Sequence, residues 1–422
     1  MKNANLYGFL PDHDAEQNAK ILQSVVDLGG EIIVAQAGVY DLSETIEIGD
    51  DTTLIFAKGV QIRRQTSGTG RNGIAFVNKG AASHTYNQNI KLIGLHLDCN
   101  GVESHDWGAD SRHVGLRAQV GMIYIKNLVV EDYECIGLLK KDYGIQVSAF
   151  EHIRLENLYI TGEKDGVHLG WGRDFVIRHG KFCTYDDPIA LNAFDYSPSN
   201  THVGWIEDGV IEDCYDLDAD TTTGHFCRIL GGAWCDWYEG MLVQHSHTVC
   251  SNGRVYRVVM RPNGEVYQSF TPPSHTFGTA VYDGIVWVCV RDEAVYDCGC
   301  RNIVLRDIHL QKKRPHRAIG ISLNNDVYAR SYVVGCNPVP QGNIALERIF
   351  IENEVPKLLG SNYPAEHLTI KDTDMKDSKL YFLAEDMEGL VYPTVELTLE
   401  NVIRTEDAIV ADGGHPVRVT EK

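Results

Sequence analysis

Positive charge is in short supply in this chain: 38 Lys and Arg stand against 58 Asp and Glu, a formal net charge of −20. A nucleic-acid partner needs a basic stripe to meet its phosphates, so this balance argues against one. It argues equally against attraction to an anionic membrane. An acidic small substrate stays open, because a local basic pocket can sit on an acidic protein. Long apolar runs are also missing, and none reaches the roughly 18 residues of a membrane span. The opening MKNANLYGFLPDHDAEQNAK lacks the apolar segment of a secretory signal. Together these absences predict a cytoplasmic protein without a membrane partner. The 11 cysteines are scattered, Cys298-Gly-Cys300 is their only close pair, and no His or Cys set has zinc-finger spacing. Reduced, mostly buried thiols are expected, with no metal among them. Proline is scarce, at 13 residues, and no long helical or low-complexity stretch occurs.

What the chain does have is 43% hydrophobic residues and 40 glycines that punctuate short apolar runs. That pattern fits a strand-rich protein with many turns. The N-terminus differs: after DHD, residues Ala15, Ala19, Ile21, Leu22, Val25 and Val26 fall at helical spacing until Gly29-Gly30. Short strands follow with only turns between them. From Ile123 a phrase recurs: IYIKNLVVEDYECIGLL, IRLENLYITGEKDGVHL from Ile153, FVIRHGKFCTYDDPIAL from Phe175 and VGWIEDGVIEDCYDLD from Val203. NIVLRDIHL, NIALERIFI, HLTIKDTDM and VELTLENVI repeat it later. Each copy reads as a strand, a polar kink and a second strand. Asn127 and Asn157 take matching kink positions on this alignment, with Gly180 and Gly209 at the next two.

A period of about 22 to 30 residues built from short strands is a solenoid signature. Without intervening helices it predicts a parallel β-helix, an all-β fold in which stacked coils share one core. The N-terminal helix then caps one end. Residues 1–422 read as one such domain, and residues 222–300, which break the rhythm, as an elaboration projecting from it. Within that region GRVYRVVMRPNGEVYQSF predicts a hairpin turning at Pro262-Asn263-Gly264.

Register gives the chemistry. Aligning Ile153 with Phe175 matches the apolar positions throughout and sets Asp165 beneath Asp187, with Asp186 beside it. Carboxylates on adjacent coils lie within roughly 5–8 Å. Like charges that close resist joint ionisation, so one carboxyl is expected to keep its proton. Such a set is equipped for general acid and base work on an acetal. Turn capping is the ordinary alternative for any one of these aspartates. Because successive strand residues face opposite sides, Asp186 and Asp187 can share a site only where the chain bends, and Pro188 disfavours a regular paired strand at this point. Asp216, with Asp218 and Asp220 after it, reads either as an extension of the acid ladder on the next coil or as a solvated turn. His168, between apolar neighbours, reads as a core or face histidine.

KDGVHL, YDDPIAL and TGHFCRIL resemble the motifs of glycoside hydrolase family 28, the polygalacturonases and rhamnogalacturonases. The resemblance implies a right-handed parallel β-helix acting on a pectin-like or related saccharide, without metal or cofactor. It implies Asp186 as general acid, Asp165 and Asp187 as activators of water, and His225 as a tuning group. It also implies inversion, for which a carboxyl separation of about 6.5–9.5 Å is expected. The chain departs from the family at Glu163-Lys164, where Asn-Thr is usual, and in lacking Arg-Ile-Lys. Arg228 and Arg257 are the candidate replacements for binding a carboxylate, and Trp171, Trp234 and Trp237 are candidate sugar platforms. A calcium-dependent lyase, with Lys164 as base, and a non-catalytic carbohydrate-binding or tailspike-like protein are the alternatives. Exo-action on an imported oligosaccharide, with residues 222–300 as the wall of the cleft, is a further expectation.

Overall fold

The computed structural model describes residues 1–66, 74–103, 115–195, 202–219 and 223–422. A short strand with one apolar face cannot bury it alone, and here each coil covers the one before. The chain winds as a right-handed parallel β-helix. Three sheets run its length, and their first strands are Gly30–Val34 (sheet 1), Gly38–Leu42 (sheet 2) and Ile46–Ile48 (sheet 3). All pairings within them are parallel. The long strands Ala118–Leu138 and Tyr143–Gly162 bend through all three sheets in turn. Inside, identical rows stack like with like. Leu92, Val130, Leu155, Ile177, Ile211 and Leu305 follow one another on sheet 1, each no more than 1% exposed. Such burial is worth about 1.5–3 kcal/mol per side chain before ordering costs.

The helix Ala15–Val26 forms as expected, capped by Asp14, whose side chain accepts from the Gln17 N–H. It buries Ala19, Leu22, Val25 and Val26 against the first coils and closes that end of the core. Among the described residues no helix is long and apolar enough to cross a membrane.

The kinks are real, but the alignment of them is corrected. Asn127 stacks under His152 and then Asp174, whereas Asn157 stacks on Asp132 and under His179. All six hold positive φ, the left-handed corner that Asn, Asp and His tolerate best. The kinks therefore form two separate rows. Gly180 and Gly209 belong to neither, pairing instead with Leu158 and Phe175. The coil from Ile123 is 25 residues long, not 30, so a phrase match slipped across corners of the same composition.

The elaboration also starts later than expected. Cys227–Leu230 is still a rung of sheet 3, and the chain returns to the helix at Cys300. Between them lies a five-stranded sheet in the order Cys235–Asp236, Thr248–Ser251, Arg254–Val258, Ile285–Arg291 and Thr279–Tyr282. The expected hairpin at Pro262-Asn263-Gly264 is not one: Arg254–Val258 pairs with the strands just named, and Tyr267–Ser269 pairs with Met241–Val243. The true tight turns are Asn252-Gly253 and Asp283-Gly284, with all four residues at positive φ. Two-residue turns of this kind match the strand twist.

Candidate active site

Sheet 3 places the acids. Val167–Leu169, Ile189–Asn192, Cys227–Leu230 and Arg317–Ser322 are successive rungs, and Val167, Ile189, Cys227 and Ile319 stand in register. Counting back from them, Asp165, Asp187 and His225 fall on one row at the mouths of their rungs, and Arg317 opens the next rung. Backbone bonds fix the stack: Gly166 N–H to the Asp187 oxygen at 3.0 Å and Val167 N–H to the Pro188 oxygen at 2.9 Å. Two glycines permit the approach. A Cβ on Gly166 would lie 2.6 Å from the Pro188 oxygen, and one on Gly224 would lie 2.4 Å from Asp187 Oδ1.

Asp186 does turn to the same side as Asp187. Both precede the strand, which begins only at Ile189, so strict alternation does not apply. One oxygen from each of Asp165, Asp186 and Asp187 lies within 4.8 Å of the others. That is closer than the wide separation expected for inversion, because the coils themselves stack at strand spacing.

The surroundings divide the three acids. Asp186 is the accessible one, with 25% of its side chain exposed against 3–4% for its partners. Burial and then the charges of Asp165 and Asp187 push its pKa up to about 6, against the opposing effect of Lys164. Burial works against ionised Asp187 as well. It is outweighed by His225, which donates from its backbone N–H at 2.6 Å and faces it through Nδ1 at 3.3 Å, and by Arg228, so the pKa falls well below the usual range. Asp165 is likewise lowered: the Lys164 charge and a 2.9 Å bond to His168 Nδ1 overcome burial. His225 Nε2 accepts from Arg317 Nε at 3.0 Å, so its hydrogen sits on Nδ1, toward Asp187. Burial lowers the His225 pKa in spite of Asp187, which keeps the ring neutral.

Arg228 lies on the neighbouring row, 4.0 Å from Asp187 Oδ2. Burial would weaken its charge, but Asp195 and the three site acids outweigh it and hold the guanidinium protonated. Lys164 puts its ammonium on Asp186 and lies 3.4 Å from Asp165 Oδ1. The three carboxylates could surround a cation, but this ammonium already stands among them. Arg317 escaped the sequence reading. It lies one coil after His225 yet 92 residues on, in Arg317-Ala318-Ile319, and only a count that skipped the elaboration would have found it.

Other expectations are corrected. Asp216 does not continue the ladder, because it pairs with Phe182 and Leu310 and is buried against Arg314 at 2.6 Å. His225 holds the position above Asp187. Asp218 is exposed beyond that strand, and Asp220 lies outside the described residues. Trp234 is 2% exposed and donates to the Val295 oxygen at 2.6 Å, so it is core of the elaboration and not a sugar platform. Trp237, half-buried, donates to Ser269 Oγ at 2.9 Å in the same layer. Trp171 is half-buried at the far edge of sheet 3, with the Arg291 guanidinium 4.4 Å over its ring. Arg257 is fully buried, donates to the Asp195 main-chain oxygen and covers Phe194, so it does not reach out to a sugar carboxylate.

No family model and no curated protein matches this chain. Solved structures do. The polygalacturonase from Erwinia carotovora aligns at a TM-score of 0.51 and 12% identity, over 96% of this chain and 95% of that one. In fold, this chain resembles the family 28 polygalacturonases. Endo-xylogalacturonan hydrolase from Aspergillus tubingensis aligns at 0.49 and 11%, over 97% and 94% of the two chains. The pre-mature bacteriophage phi29 gene product 12 aligns at 0.48 and 14%, over 100% of this chain and 51% of that one. Likeness at this level is one of fold, and function has to be argued from the site.

Proposed function

We propose that this chain is a glycoside hydrolase acting on a pectin-like or related saccharide. The observation that carries the reading is the division among three adjoining carboxyls. Burial and the neighbouring charges push Asp186, the accessible one, up to about 6, while the cations and histidines beside Asp165 and Asp187 hold those two ionised. Hydrolysis of an acetal needs a proton for the leaving oxygen and a base for the incoming water. Asp186 supplies the first. Asp165 and Asp187 together take the proton of the water. His225, locked between Asp187 and Arg317, is a positioning residue. Arg228 and Arg317 border the row and would meet an anionic group on the sugar. Lys164 releases Asp186 when that carboxyl takes up its proton.

The spacing of the acids does not by itself support inversion, which rests on the family resemblance and is read directly from the anomer first formed. Exo-action is a further part of the proposal, with the elaboration closing one end of the groove, and an endo product ladder would remove it. The cluster of three acids favours one second reading, a lyase with calcium among them. Calcium takes six to eight oxygens, and Lys164 competes for the same space. A glycan-panel screen of the wild type beside Asp186→Asn and Asp187→Asn tests both. New reducing ends without an unsaturated product, lost in both variants, support hydrolysis, whereas a chelator-sensitive unsaturated product absorbing in the ultraviolet replaces it with the lyase.

A further inference from the structure

We infer that His168 and Asp195 are positioning residues that hold the Asp165 carboxylate from behind, braced by the inserted sheet; the inference rests on the hydrolase reading. His168 is fully buried, yet both of its ring nitrogens face acids. Nδ1 lies 2.9 Å from Asp165 Oδ2, a hydrogen bond, and Nε2 lies 3.6 Å from Asp195 Oδ2, beyond hydrogen-bond length but within ion-pair reach. An ionised carboxylate only accepts, so the Nδ1 hydrogen belongs to the histidine. The ring is stacked on Tyr143, centroids 4.1 Å apart and 15° from parallel, which fixes its plane. Asp195 is held in turn: Asn192 Nδ2 donates to its Oδ2 at 2.9 Å, and Arg257, from the inserted sheet, donates to its main-chain oxygen.

Burying two carboxylates and an imidazole is costly unless each meets a partner. A wall that merely closed a groove needs no such chain of groups. The chain ends on Asp165, whose other oxygen faces Lys164 at 3.4 Å. The groups facing Asp165 are thus Lys164, Asp186, Asp187 and Arg228 from the groove side, and His168, backed by Tyr143 and Asp195, from within. His168 sets the direction of the Oδ2 edge, and so of the oxygen left to receive the proton of water. The elaboration therefore shapes the site through Asp195 as well as bounding it.

The test uses the full chain labelled with carboxyl-13C aspartate, with the Asp165 signal assigned through Asp165→Asn. In His168→Gln the Asp165 midpoint should rise by about one pH unit, a tenfold weaker hold on the ionised form. The acid limb of kcat/KM on the best panel glycan should rise with it. Asp195→Asn, nearly isosteric, should lower kcat about tenfold with KM within about twofold, the pattern of a lost transition-state interaction. It carries the test if His168→Gln fails to fold. Folded variants that leave the midpoint, the acid limb and kcat unchanged overturn the inference. If the wild type cleaves no glycan but His168→Gln still moves the Asp165 midpoint, the hydrolase reading fails and the hold on Asp165 stands.

Discussion

The Lys164 ammonium, from one coil below, meets the Asp186 carboxylate and reaches to within 3.4 Å of Asp165. This cation is the counterweight to two neighbouring negative charges and to burial, all of which raise Asp186. Taking it away should let Asp186 hold its proton to higher pH. A general acid acts while protonated, so activity falls as pH rises through its pKa. In Lys164→Met the alkaline limb of kcat/KM should therefore move upward from near 6, and a pH profile measures it. A limb that stays put, or moves down, separates Lys164 from the acid.

The raised Asp186 also bears on stability. Its folded pKa of about 6 lies above the unfolded value of about 3.9. Between those values the folded state binds more protons than the unfolded state, so unfolding free energy falls as pH rises. The group's contribution is greatest below about pH 4 and is lost through about pH 6, on the order of 2–3 kcal/mol. Asp186→Asn removes that dependence. Melts from pH 4 to 7 should show the variant gaining on the wild type as pH rises, while turnover drops by about 10²–10⁴-fold. Parallel melting curves would contradict the raised pKa.

Gly224 makes a steric prediction. An added Cβ would meet Asp187 Oδ1 at 2.4 Å and the Asp187 nitrogen at 2.7 Å. One of those atoms is backbone, so the coils would have to part. Gly224→Ala should cost about 1–3 kcal/mol, the range for overpacking, and should lower activity by pulling the His225 N–H off Asp187. Gly413→Ala, where nothing lies within 4 Å, is the control. Denaturant melts on the pair read the difference, and equal midpoints would refute the close approach.

How much of this was legible depends on what separates the coils. Asp165 and Asp187 are joined by a bare coil of 22 residues, so their stacking could be counted from apolar matches. The Asp187 to His225 coil is 38 residues long, and its motif still showed through. Arg317, 92 residues beyond His225, was hidden because the elaboration interrupts the count. The kink rows misled because both corners favour the same residue types. His168 and Asp195 were not legible as a pair, since Asp195 lies past the end of the strand Ile189–Asn192, where strand register no longer counts positions.

Arg317 carries the last prediction. Its Nε hydrogen goes to His225 Nε2 at 3.0 Å, which leaves the ring hydrogen on Nδ1 for Asp187. Its charge also works with burial to keep the imidazole neutral. In Arg317→Met both constraints go. The ring can then carry hydrogen on Nε2 or on both nitrogens, and its pKa should rise. With the hydrogen moved to Nε2, Asp187 loses part of the bond that holds it ionised, so kcat should fall about 10- to 100-fold, at or below the roughly 10²–10⁴-fold of a group that itself transfers the proton. Ring 15N shifts report the tautomer directly. A wild-type spectrum with hydrogen on Nε2, or a variant spectrum identical to it, would show that Arg317 does not set the state of His225.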